Sequence, residues 1–120
     1  MTEISENLYR YKALVKAVID GDTLDLEIDL GMSIFVRERI RLSGIDTHEI
    51  FGVKVGSEEY KLGMKSKSRV EELLTNKTIY IVTTKDKKEK YGRYLAKVYL
   101  NDGTCINDLL ITEGLAKPFM

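Results

Sequence analysis

The stretch Thr23-Leu24-Asp25-Leu26-Glu27-Ile28-Asp29-Leu30 alternates polar and apolar side chains without a break. A period of two puts every second side chain on the same face of an extended chain, so this segment reads as a strand with one buried face. Its neighbours extend the reading. Leu14-Val15-Lys16-Ala17-Val18-Ile19 is β-prone, and Asp20-Gly21 between the two runs is a tight-turn signal. Gly31-Met32 marks another turn, and residues 33–42 alternate in part through Ile34, Val36, Ile40 and Leu42. The spacing predicts a three-stranded meander.

A change of period follows. Phe51, Val53 and Val55 are interspersed with glycine and serine over residues 50–57, which reads as a loop. Ser57-Glu58-Glu59 is a helix start, because a serine can cap the first free amides and acids suit the positive end of the dipole. The helix is expected to run to about Leu74, with Val70, Leu73 and Leu74 toward the core and Gly63 weakening its first half. Thr78-Ile79-Tyr80-Ile81-Val82-Thr83 is a fourth strand, residues 85–93 a charged loop, and Tyr94 to Leu100 a fifth strand. Asn101-Asp102-Gly103 turns the chain into a short helix over Ile106 to Thr112, with Asn107, Asp108 and Glu113 outside and Gly114 as its stop. The order β-β-β-α-β-β-α is mainly β, or α+β. It matches an OB-fold five-stranded barrel with one helix between strands 3 and 4 and a short C-terminal helix. Another α+β sheet would fit this pattern nearly as well.

Length and composition narrow the chemistry. A chain of 120 residues favours a single domain over residues 1–120, with its core at about 10–117. Cys105 and His48 are the sole residues of their types, which excludes an intrachain disulfide and a thiolate or His-rich zinc site. A metal would have to be held by oxygen. Lys+Arg and Asp+Glu both number 19, so bulk charge does not mark a strongly basic nucleic-acid binder, although a locally basic groove remains compatible with it. No apolar run is long enough for a transmembrane helix. Met1 to Arg10 is polar and mixed in charge, without the apolar centre of a secretory signal. With Met1 as the natural start the expectation is a cytoplasmic protein; with a leader removed it is a secreted one.

Three stretches carry acids and bases suited to phosphodiester chemistry. They are Ile19 to Thr23, Arg41 to Glu49, and Glu89 to Arg93. They offer two carboxylates for a hard cation, a third carboxylate to handle a water, and two arginines whose planar forks suit a phosphate. Each also has an ordinary reading. Asp20-Gly21-Asp22-Thr23 is a hairpin turn. Asp46-Thr47-His48-Glu49 is a helix cap, though Phe51-Gly52-Val53 does not continue a helix. Arg37, Arg39 and Arg41 share one strand face, which is a solvated edge, and Arg93 is a loop charge. Lys85, Lys87, Lys88 and Lys90 divide evenly between steering a polyanion and keeping a loop soluble. Tyr80, Tyr94 and Tyr99 read as core or barrel surface.

Taken in order, the blocks Asp-Gly-Asp-Thr (20–23), Arg-x-x-x-x-Asp-Thr-x-Glu (41–49), Lys-Tyr-Gly-Arg (90–93) and Asn-x-x-Leu-x-x-x-Gly-Leu-Ala (107–116) resemble the staphylococcal nuclease (thermonuclease) family. The resemblance covers roughly residues 12–117. It implies an OB-fold barrel that cleaves DNA and RNA with calcium. Asp22 and Asp46 are then implied as Ca2+ ligands, with Thr47 contributing its backbone carbonyl. Glu49 is implied to position or deprotonate the attacking water, Arg41 and Arg93 to hold the phosphate, and Lys90 and Tyr91 to lie near the bound nucleotide. The substrate implied is DNA or RNA, single-stranded or frayed, cut with little sequence preference to leave 3′-phosphate ends, by a monomer that needs no membrane. The alternative is a non-catalytic nucleic-acid or protein-binding module of the same family. Two departures stand out. His48 occupies a place where the family usually has proline, which is expected to loosen the turn that aims Glu49. The sequence also ends soon after Gly114-Leu115-Ala116-Lys117, without the further helix and tyrosines of the staphylococcal enzyme, so weaker base stacking and substrate affinity are expected.

Overall fold

The computed structural model describes residues 8–119. Most of the polar start, residues 1–7, therefore lies outside the described residues. Strands β1 (Arg10–Asp20), β2 (Thr23–Gly31) and β3 (Ile34–Leu42) form the meander that alternation predicts. A two-residue strand β4 (Ile45–Asp46) and helix α1 (Glu58–Leu74) follow, then β5 (Thr78–Lys88), β6 (Tyr94–Tyr99) and helix α2 (Ile106–Thr112). The barrel closes in the order β1-β2-β3-β6-β5. Its seam is parallel, with Ile40, Arg41 and Leu42 of β3 beside Tyr94, Leu95 and Ala96 of β6. This is the five-stranded OB-type barrel with a helix between its third and fourth strands.

Alternation sorts the side chains. Leu24, Leu26 and Ile28 point inward from β2, and Ile79, Ile81, Ala96 and Val98 meet them from β5 and β6. Val70 and Leu74 of α1 and Ile106 and Leu110 of α2 plug the barrel, all fully buried. The opposite face of the β2–β3 pair carries Asp25 and Glu27 directly across from Arg39 and Arg37. Opposite charges on facing strands attract, and Arg39 Nε donates to Asp25 Oδ1 at 2.8 Å. Arg37 and Arg39 are thus strand-surface charges, whereas Arg41 lies beyond them at the barrel rim.

The structure departs from the sequence reading in three places. Strand β5 continues to Lys88, through what reads as loop. Lys85 and Asp86 take left-handed backbone (φ 51° and 53°), and the register against β6 slips between Thr83 and Lys88. The bulge survives because the Asp86 N–H donates to Thr83 Oγ1 at 2.9 Å and Tyr11 Oη donates to Asp86 at 2.6 Å. Second, Asn107 is buried rather than outside. Its Oδ1 accepts the Val98 N–H at 3.0 Å and its Nδ2 donates to the Ser43 and Ala96 carbonyls at 2.8 and 3.3 Å. It satisfies backbone groups where the barrel ladder ends. Third, a two-residue ribbon joins β4 (Ile45–Asp46) to β7 (Lys117–Pro118). It carries the chain after α2 back across the barrel mouth.

Two glycines are required by close approach. A Cβ on Gly21 would fall 2.8 Å from Ser66 Cβ and 2.9 Å from Thr47 Oγ1, so the β1–β2 turn can nest against α1 only without a side chain. Gly63 does the same from the helix, where a Cβ would lie 2.7 Å from the His48 carbonyl oxygen. The helix-weakening residue is therefore a packing residue.

Candidate active site

The nested β1–β2 turn delivers Asp22 to the rim. Asp22 is buried, and its Oδ1 and Oδ2 accept the Thr23 hydroxyl and the Thr47 N–H, each at 3.2 Å. The ladder pairs Thr23 with Arg41, which brings the last arginine of β3 beside that carboxylate. Arg41 Nη2 reaches Asp22 at 3.5 Å and Asp46 at 3.4 Å. Its Nη1 donates to the carbonyls of Leu42 and Ile45, both at 3.0 Å. The Phe119 ring covers the same guanidinium, 5.3 Å from its carbon. Ribbon β4–β7 places Phe119 there, since the Phe119 N–H donates to the Gly44 carbonyl at 2.9 Å.

Arg93 approaches from the β5–β6 loop. Its Nε and Nη2 each lie 3.1 Å from an oxygen of Glu89, and Nη1 lies 3.3 Å from Thr23 Oγ1. Glu89 also accepts the N–H groups of Tyr91 and Arg93 at 2.9 Å, so one carboxylate folds the loop. Arg93 beside it, together with these amides, holds the Glu89 carboxyl down at about 2. Tyr91 is exposed, with the Lys90 and Arg93 cations 5.0 and 5.5 Å from its ring centre.

A cleft of about 320 Å³ gathers Asp22, Arg41, Glu49, Lys90, Tyr91 and Arg93. Asp46 and Thr47 line an adjoining cavity of about 230 Å³, which shares Glu49 with the cleft and also includes His48. Asp22, Arg41, Asp46, Thr47, Glu49, Lys90, Tyr91 and Arg93 therefore meet in two adjoining cavities. Lys88 turns away, pairing with Glu38 at 3.9 Å and stacking on Tyr94. The cleft adds Asp20, Glu89 and Phe119. Asp20 had a visible signal as the first acid of Asp-Gly-Asp. Glu89 opens the Glu89 to Arg93 stretch, but its pairing with Arg93 needs the loop geometry. Nothing in the sequence singles out Phe119.

The electrostatics are those of crowded carboxylates. Burial, then the hydrogen bond to and negative charge of Asp22, push the Asp20 carboxyl up to about 6. Glu49 is raised too, although the residue is exposed: its carboxyl is partly shielded from water by the site, and Asp22, Asp46 and Glu59 add to this, with Arg41 opposing. Crowding of hard oxygen donors suits a hard cation. The described residues hold no ready-made cluster of three His, Cys, Asp or Glu ligands. A cation here would rest on two carboxylates, a carbonyl and water, which calcium's flexible coordination tolerates.

Fold and cleft together define a class: an OB-type barrel with an acid-and-arginine site at its rim. A family described as "Staphylococcal nuclease homologue" matches residues 39–120, and this chain belongs to it. A thermonuclease of Staphylococcus intermedius is 39% identical over 104 residues, 87% of this chain and 57% of that protein. An uncharacterized protein of Methanocaldococcus jannaschii is 33% identical over 92% of this chain and 60% of its own length. An uncharacterized endonuclease of Escherichia coli is 30% identical over 85% and 57%. The chain spans less than two thirds of the length of these relatives.

Proposed function

We propose that this chain is a calcium-dependent nuclease that hydrolyses phosphodiester bonds of DNA and RNA with little sequence preference, leaving 3′-phosphate ends. The observation that carries the reading is Arg41 bridging Asp22 and Asp46 in a site that also holds Glu49 and Arg93. Thermonuclease and endonuclease relatives support it.

Asp22, Asp46 and the Thr47 carbonyl would hold the calcium. Bound there, calcium supplies Lewis-acid polarisation of the phosphate. Arg41 and Arg93 stay charged and donate to the phosphate oxygens, where negative charge grows as the phosphorus is attacked. Glu49 orients a water for that attack and takes its proton; its raised pKa brings it nearer the range of a working base. The 5′-oxygen leaves and the phosphate stays on the 3′ side. Lys90 and Tyr91 contact the neighbouring nucleotide, the tyrosine by stacking. Contacts to phosphate and stacking on a base face carry no sequence information, which fits loose sequence preference. The exposed Tyr91 ring favours single-stranded substrate, and the unit is proposed to act as a monomer.

The test is cleavage of a fluorescent single-stranded oligonucleotide with calcium and then with excess chelator. Chelator-sensitive cutting to 3′-phosphate products is expected. Binding without such cutting would replace the nuclease reading with a non-catalytic module.

A further inference from the structure

Glu49 lies outside every strand and helix, so no ladder sets its direction. Two contacts tie its turn to helix α1. Glu59, in the first turn of the helix, receives the His48 imidazole, with Nδ1 at 2.5 Å from Oε1 and 3.0 Å from Oε2. The same carboxylate faces the Glu49 backbone N–H at 3.4 Å. His48 holds the Glu59 carboxyl below its ordinary range. Gly63 lies four residues on, on the same helix face. A Cβ there would stand 2.7 Å from the His48 carbonyl oxygen and 2.8 Å from that of Glu49. The helix thus offers the turn a carboxylate for its donors and bare backbone beside its carbonyls. Ile50, next in sequence, is buried and anchors the turn.

We propose that Glu59 and His48 are positioning residues, a clasp between α1 and the 48–49 turn that aims the Glu49 carboxylate into the cleft. The proposal rests on Glu49 being the group that handles the attacking water. The side chains of His48 and Glu59 are 49% and 39% exposed, so as an ion pair they add little to stability. Their effect is directional. One carboxylate gripping a side chain and the next residue's amide leaves the turn few other orientations.

Glu59→Ala and Glu59→Gln test this in the full chain. Glutamine keeps an acceptor oxygen for both donors. With calcium and the fluorescent oligonucleotide, Glu59→Ala is expected to lower kcat about ten- to a hundredfold while leaving KM unchanged. Glu59→Gln should recover most of that loss. Without substrate, the Glu49 amide should exchange its hydrogen faster in Glu59→Ala, with the unfolding midpoint shifted no more than loss of one surface acid from a helix start brings. Unchanged amide exchange in Glu59→Ala would overturn the clasp. Faster exchange with full kcat would overturn its positioning role. A wild-type chain that does not cut would refute the nuclease reading instead, and the exchange result would still decide the clasp.

Discussion

In the proposed reaction both arginines donate to the phosphate, and both are already held in place by contacts within the protein. Arg41 is fixed by two carbonyls, two carboxylates and the face of Phe119. Arg93 is fixed by both oxygens of Glu89 and by Thr23. Little side-chain entropy is then left to lose at the reacting phosphate. Arg93→Ala and Glu49→Gln should each reduce kcat by about 10²- to 10³-fold. Urea unfolding midpoints should stay near wild type, because Glu49 is exposed and the Arg93–Glu89 pair sits in the loop. Retained cleavage by both purified variants would remove the nuclease assignment. That Asp22, Arg41, Asp46, Glu49 and Arg93 lie together was expected from the family resemblance of their ordered blocks, since each block alone has an ordinary reading. Glu89 and Phe119 were not, since a generic acid and a generic aromatic acquire meaning only from the loop and ribbon that place them.

Secondary elements were legible where one rule governed them. Strict alternation along β2 and the Ser57 cap of α1, whose Oγ accepts the Tyr60 N–H at 3.3 Å, describe themselves locally. The misreadings fall where long-range partners decide. Asn107 looks like an outward polar residue until β6 and the β3–β4 turn present backbone groups to it. Asn107→Ala would strand a buried N–H and weaken the hold on two carbonyls, each buried polar group costing about 1–3 kcal/mol. A loss of about 3 kcal/mol is expected in urea unfolding, and a change under about 1 kcal/mol would show that water replaces the side chain. The tail of β5 depends likewise on β1, through Tyr11. Its hydrogen bond to Asp86, with burial and that negative charge, raises the Tyr11 phenol to about 12. The neutral phenol is the form the fold favours. This contribution is therefore intact below the ordinary tyrosine pKa of about 10 and is lost as pH rises through about 12. Tyrosinate absorbance should show a step at about 12 from Tyr11, and Asp86→Asn should lower that step toward the ordinary tyrosine value of about 10. A late step that persists in Asp86→Asn would mean that Asp86 is not its cause.

Over the whole molecule, charge is balanced, and the cleft repeats that balance at close range. Arg41, Lys90 and Arg93 share it with Asp20, Asp22, Glu49 and Glu89, so without a cation the acids slightly outnumber the bases. A polyanion gains little by entering such a site until a divalent ion is added. Removing calcium should therefore weaken oligonucleotide binding as well as stop cleavage. Three basic side chains in the cleft also bound the salt dependence. If each neutralises one phosphate of a single strand, log K should fall against log salt with a slope no steeper than about −2. Fluorescence anisotropy of an oligonucleotide with calcium-loaded Glu49→Gln protein, titrated with salt, measures this without cleavage. A slope steeper than about −4 would require further lysines to join the path. Lys85 and Lys87 lie on the β5 extension that leads into the cleft loop, where Lys88 is already paired with Glu38, and replacing both with Gln should then flatten the slope. With the shallow slope, the same double substitution should leave binding unchanged, assigning those lysines to the solvated face of the barrel.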